Sequence, residues 1–146
     1  MPFEPTERLR SSISSLVYKG KDPKQARDGC VKIFKEPYGI HPGFQNECEN
    51  VANDLRVIKH PNIVQVWEVG RHSDRMKVVT ELMPMSLKDY FAENETVDLT
   101  SALSITLKII EALEKGYSEG LEPHLAVKPN NILVSDDLGE VKLSDW

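Results

Sequence analysis

His124-Leu125-Ala126-Val127-Lys128-Pro129-Asn130-Asn131 is a polar, proline-bearing turn that leads directly into the apolar triplet Ile132-Leu133-Val134. A second triplet, Val141-Lys142-Leu143, follows across Ser135-Asp136-Asp137-Leu138-Gly139, and the pair reads as a hairpin around an Asp/Gly-rich turn. Ser144-Asp145-Trp146 comes immediately after it. This close succession of turn, hairpin and acidic residue places three candidate polar groups, Lys128, Asn131 and Asp145, within a stretch of eighteen residues.

Outward from this region, the apolar series Ala102, Leu103, Ile105, Leu107, Ile109, Ile110, Ala112 and Leu113 predicts a helix to about Ser118, capped by Asp98 or Thr100. Apolar residues occupy most of its sides, the pattern of a buried helix. Ser86 to Phe91 reads as a short helix. Two strands, Ile63 to Val69 and Met76 to Leu82, are expected around a turn at Gly70 to Arg75. Phe44, Cys48, Val51, Ala52, Leu55 and Ile58 recur at helical spacing, so one amphipathic helix should run to His60-Pro61. Before it, Leu16-Val17-Tyr18 and Cys30 to Phe34 suggest a hairpin, with Asp22-Pro23 and Asp28-Gly29 as turn formers. The order is α+β rather than alternating βαβ, with no internal repeat. A first unit should end near Leu82, with Met83-Pro84-Met85 as connector.

Hydrophobic residues make up 40% of the 146 and charged residues 28%, an ordinary composition for a soluble domain. The net charge of −5 disfavours nonspecific nucleic-acid binding, which depends on basic side chains neutralising phosphates. No apolar run approaches the roughly 18–20 residues that cross a bilayer, and Met-Pro-Phe-Glu-Pro does not resemble a signal peptide, so no membrane role and a cytoplasmic location are expected. Cys30 and Cys48 lack metal-ligand spacing and are too few for a disulfide framework; both are read as reduced and packed. The four histidines are scattered, which argues against a metal cluster.

Taken together, Cys30-Val31-Lys32, His60-Pro61-Asn62-Ile63-Val64, Val78-Val79-Thr80-Glu81-Leu82-Met83, His124 to Asn131 and Asp145-Trp146 resemble, in order, the motifs of the eukaryotic-type protein kinases. The resemblance spans about Arg10 to Trp146. It implies an N-terminal antiparallel sheet lobe with one long helix (residues 10–82, after an extension at 1–9), a hinge at 83–85, and the start of a helical C-terminal lobe (86–146). Lys32 would hold the α- and β-phosphates of ATP, paired with a glutamate on the helix after it. Glu47 and Glu49 both qualify by position; Glu47 is preferred for its F-x-x-E spacing from Phe44. Thr80 would be the gatekeeper, the backbone of Glu81 to Met83 would meet the adenine, and Val17, Val31 and Leu133 would sandwich the ring. Asn131 and Asp145 would bind Mg²⁺, and Lys128 matches the lysine typical of serine/threonine kinases.

The chain departs from the pattern at informative places. Ala126 stands where the family has its catalytic aspartate, and a methyl group neither accepts a proton nor orients a hydroxyl. Leu125 replaces the arginine that usually tethers the activation segment. Arg10, Ser12 and Ser15 fall at the three positions of the glycine-rich loop, where a Cβ obstructs approach of backbone N–H groups to phosphates. The sequence stops at the second position of D-F-G, so the apolar helix is expected to lack its usual packing partner unless these residues are a piece of a longer protein. The expectation is therefore a kinase-like domain that binds ATP and Mg²⁺, with impaired phosphotransfer to protein Ser/Thr. The alternative is a pseudokinase scaffold or regulatory module that engages a protein partner without turnover. Nothing in the sequence sets an oligomeric state.

Overall fold

The computed structural model describes residues 3–146. The chain divides into two compact units: the residues up to Val57 with Gln65–Leu82, and Ile58–Val64 with Met83–Trp146.

The first unit is an antiparallel sheet of five strands, β1 Glu4–Ser11, β2 Ser15–Lys21, β3 Asp28–Phe34, β4 Val66–His72 and β5 Arg75–Glu81, in the order β1-β2-β3-β5-β4. One long helix, α1 Pro42–Val57, accompanies it. Strand alternation sends Val31, Ile33 and Val79 to one face, where they form a core with Phe3, flanked by Tyr18 and Trp67. The Arg27 guanidinium stacks 3.9 Å over the Trp67 ring. The opposite face receives α1: the rings of Phe34 and Phe44 meet edge to face at 4.9 Å. The helix buries Gln45, Ala52 and Leu55, and Gln45 is satisfied by donating to Gly39 O and Asp74 O.

Three expectations are corrected in this unit. Residues 4–9, assigned to an extension, belong to edge strand β1, whose side chains are exposed almost throughout, so no apolar alternation announces it. Asp28-Gly29 is not a turn but the start of β3. Glycine is required there by close approach, since a Cβ would lie 2.9 Å from the Phe3 ring and 3.0 Å from the Trp67 ring. The β4–β5 turn is only Ser73-Asp74, with Ser73 at φ 54°, so the strands extend further into Gly70–Arg75 than the polar composition suggests.

The second unit holds a three-stranded sheet, β6 Met85–Ser86, β7 Ile132–Val134 and β8 Val141–Leu143. With it are α2 Leu87–Glu93 and α3 Leu99–Ser118. Ser86 and Asp89 form a reciprocal capping box at α2, and Asp98 caps α3 by accepting from Ser101 N–H at 2.8 Å. Residues 58–64, expected in the small lobe, lie here instead. Val64 N–H donates to Leu143 O, Leu143 N–H to Asn62 O, and the buried Asn62 amide to Val141 O at 2.9 Å. Helix α3 packs on β8 and buries Ile105, Ile109, Ala112 and Gly116. Leu99, Leu103, Leu107 and Ile110 remain 52–75% exposed, so burial on most sides is not met within this unit, where β8 covers one face of α3.

Candidate functional site

The register of the sheet determines which side chains can act together. Val17 and Val78 both stand opposite Lys32, and Thr80 stands opposite Cys30. Directly opposed residues project to the same face, so Val17, Cys30, Lys32, Val78 and Thr80 form one surface. Val31 stands opposite Val79 on the other face and is fully buried. Val31, expected at a purine ring, thus lies on the face away from Lys32, and half-buried Cys30 lies on the Lys32 face instead. The period of two along Cys30-Val31-Lys32 was the signal that could have revealed it.

Helix α1 brings Cys48 toward this face. Burial pushes its thiol up to about 11, opposed by the nearby Lys32 ammonium and reinforced by Glu49 and Glu47. Glu47 itself is exposed and Glu49 half-buried. Glu47 is thus the most exposed of the three, and Cys48 between the glutamates is half-buried.

Thr80 Oγ1 donates to Glu81 O at 3.0 Å. Glu81 N–H donates to Gln65 O at 3.0 Å, and Gln65 N–H returns a bond to Glu81 Oε1 at 2.8 Å. The Glu81 N–H is thus taken up within the unit. Met83 is half-buried at the start of the second unit's chain, and Leu133 is buried in β7 opposite Ser86.

The β1–β2 turn is closed by its own serines. Ser12 and Ser15 hydroxyls lie 3.1 Å apart, Ser15 N–H donates to Ser12 Oγ at 3.1 Å, and the Lys35 ammonium donates to Ser11 Oγ at 2.8 Å. The hydroxyls that replace glycines are thus spent on holding the turn, and Arg10 lies within β1 opposite Val17.

In the second unit, residues 124–131 and 144–146 form one hydrogen-bonded network. His124 Nδ1 accepts from Ala126 N–H at 3.2 Å, which leaves Nε2 protonated to donate to Ser144 O at 2.8 Å. A single 3-10 turn, Pro129–Asn131, presents Asn131, whose Nδ2 donates to Ala126 O at 2.8 Å. That bond fixes the amide's orientation and leaves Oδ1, an oxygen suited to a hard cation. Asn131 O in turn accepts from both N–H and Oγ of Ser144, at 2.9 and 3.1 Å. Asp145 is exposed, at φ 57°, a left-handed conformation that few non-glycine residues adopt and that costs roughly 1–3 kcal/mol. Lys128 is exposed, Ala126 contributes only a half-buried methyl, and Leu125 is 94% exposed. Sequence reasoning missed Ser144, Gln65 and Cys30, the residues that orient or share a face with those it named.

The protein kinase domain family model matches residues 7–146, and the chain belongs to that family. Its relatives include a probable serine/threonine-protein kinase of Clostridium perfringens, 33% identical over 133 residues, covering 90% of this chain and 19% of the relative. PrkC, a serine/threonine-protein kinase of Bacillus subtilis, is 29% identical over 131 residues, covering 89% and 20%. The chain thus spans about one fifth of the length of these relatives. Among solved structures, the Mycobacterium tuberculosis PknI kinase domain superposes with a TM-score of 0.87 at 17% identity, over 98% of this chain and 57% of that one. Rad53 in complex with AMP-PNP gives 0.83 at 23% identity, over 98% and 38%. These likenesses show the fold: the antiparallel sheet with its long helix, followed by the start of a helical lobe. Among the described residues, no helix is long and apolar enough to cross a membrane.

Proposed function

We propose that this chain binds ATP with Mg²⁺ and that transfer of phosphate to protein serine or threonine is impaired at the step that handles the hydroxyl proton. One observation supports the reading: Asn131 Nδ2 donates to Ala126 O, which leaves Asn131 Oδ1 as an oxygen donor for a cation in the loop whose Ala126 methyl cannot act as a base. Lys32, with Glu47 as its candidate partner, serves the phosphates. Within the first unit, Val17, Cys30 and Thr80 offer the base a largely apolar surface. Asn131 Oδ1 and the Asp145 carboxylate are the oxygen donors that Mg²⁺ prefers, so the residues present fit the metal. Bound Mg²⁺ supplies charge neutralisation at the phosphates. Lys128 supplies a positive charge near the transferred group, but no side chain of the loop removes the hydroxyl proton, help typically worth about 10²–10⁴-fold.

Thermal unfolding with and without Mg-ATP tests the binding half. At about 100 times Kd, binding to the folded state adds about 2.7 kcal/mol. The expected result is a stabilising shift in wild type that disappears in Lys32→Ala; an equal shift in both overturns the assignment. For the transfer half, Ala126→Asp in the full-length protein is expected to raise phosphate transfer by about 10²-fold or more. Ordinary kinase turnover by the unaltered protein would refute impairment. The exposed Leu125 and Val127 favour, as a second reading, a module that engages a protein partner without turnover, for which Mg-ATP produces no shift.

A further inference from the structure

Helix α3 carries a glycine, Gly116, in its last turn, although glycine within a helix is about 0.8–1.0 kcal/mol worse than alanine. Its φ is ordinary, so no left-handed turn requires it. The reason lies across from it: a Cβ built on Gly116 would meet the Trp146 ring atoms Cη2, Cζ2 and Cζ3 at 2.1, 2.5 and 2.8 Å. The missing side chain is a notch that the six-membered part of the indole fills. Three further contacts fix the same ring. Its Nε1–H donates to Glu122 O at 2.7 Å, and it meets Tyr117 and His124 edge to face at 5.8 and 5.2 Å.

We infer that Gly116, acting through the Trp146 ring it admits, is a positioning residue for Asp145, the left-handed residue between two clamped neighbours. On one side Ser144 is held by Asn131 and His124; on the other Trp146 is locked into α3 and the segment after it. Fixed neighbours on both sides help to hold Asp145 at φ 57°. The Gly116 notch thereby sets where the carboxylate sits, and Mg²⁺ affinity depends on a helix glycine that offers no side chain to a ligand. The inference rests on the proposal that Asp145 binds Mg²⁺.

The test uses the full-length protein and a fluorescent ATP analogue, titrated with and without Mg²⁺, in wild type, Gly116→Ala, Trp146→Phe and the double variant. Gly116→Ala is expected to weaken Mg²⁺-dependent binding by about 10- to 100-fold, the range for groups that orient metal ligands, and to leave metal-free binding unchanged. The smaller phenylalanine ring vacates the notch, so the double variant should recover part of the loss, a coupling that a general stability defect would not produce. A Gly116→Ala protein that binds Mg-ATP like wild type, or loses affinity equally with and without the metal, overturns the inference while leaving nucleotide binding intact. No Mg²⁺ dependence in wild type overturns the metal assignment and this inference with it. Emission of Trp146, with Trp67 and any tryptophan outside residues 1–146 replaced by phenylalanine, reports independently whether Gly116→Ala moves the ring; an unchanged spectrum counts against the lock.

Discussion

Val31 and Lys32 are adjacent in the chain and lie on opposite faces of β3, and that single parity separates a core residue from a site residue. Two substitutions should divide accordingly. Val31→Ala deletes two methyls from a fully buried side chain and is expected to cost about 2–3 kcal/mol, with the Mg-ATP-induced shift retained. Cys30→Phe adds bulk on the Lys32 face and is expected to abolish the shift; thermal unfolding of the two variants with nucleotide checks both. Cys48 gives a pH signature. Its thiol is pushed up to about 11 by burial, from an ordinary value of 9.0, so the folded state retains a proton that the unfolded state loses in that interval. Stability should therefore fall as pH rises from about 9 to 11. Denaturant titrations of wild type and Cys48→Ala across that range should show a shallower decline in the variant; parallel declines would remove Cys48 as a cause.

The helices were legible because their signals are local. Apolar spacing and the Asp98 cap located α3, and Ser86 lies at the start of a helix expected from its sequence. Ser86→Ala removes an acceptor for Asp89 N–H and a buried hydroxyl, and should destabilise the protein by about 0.5–2 kcal/mol. Urea denaturation measures it, and a change below the low end would mean that Asp89 caps the helix alone. Strand β1 and the two-residue β6 were not legible, for different reasons. The exposed side chains of β1 carry no alternation, and β6 is too short to show a period at all. Residues 58–64 looked like the approach to a strand, yet their backbone pairs with β8, nearly eighty residues away in sequence. A pairing partner that distant leaves no local trace.

Three aspartates hold turns and caps across both units: Asp22 before β3, Asp98 at α3 and Asp137 between β7 and β8. Each carboxyl lies below its ordinary range, chiefly because it accepts backbone N–H bonds, from Lys24, Ser101 and Gly139 respectively. A lowered folded-state value means stability that is present above the unfolded value near 3.8 and lost as pH falls through the folded one. Replacing all three with asparagine keeps an acceptor without the titration, so the acid limb of stability against pH should flatten below about 4; an unchanged limb would place acid sensitivity elsewhere. The ordered motifs from Lys32 to Asp145, with the periods between them, determined the family, the α+β class and the absence of a base at Ala126. These follow from residue identity and spacing along one chain. The tertiary structure decided that Cys30 replaces Val31 on the Lys32 face, that Ser12 and Ser15 close their turn on each other, and that Gly116 makes room for Trp146. Those outcomes depend on register, on competition between hydrogen-bond partners and on the volume left between packed side chains, none of which is encoded at a single position.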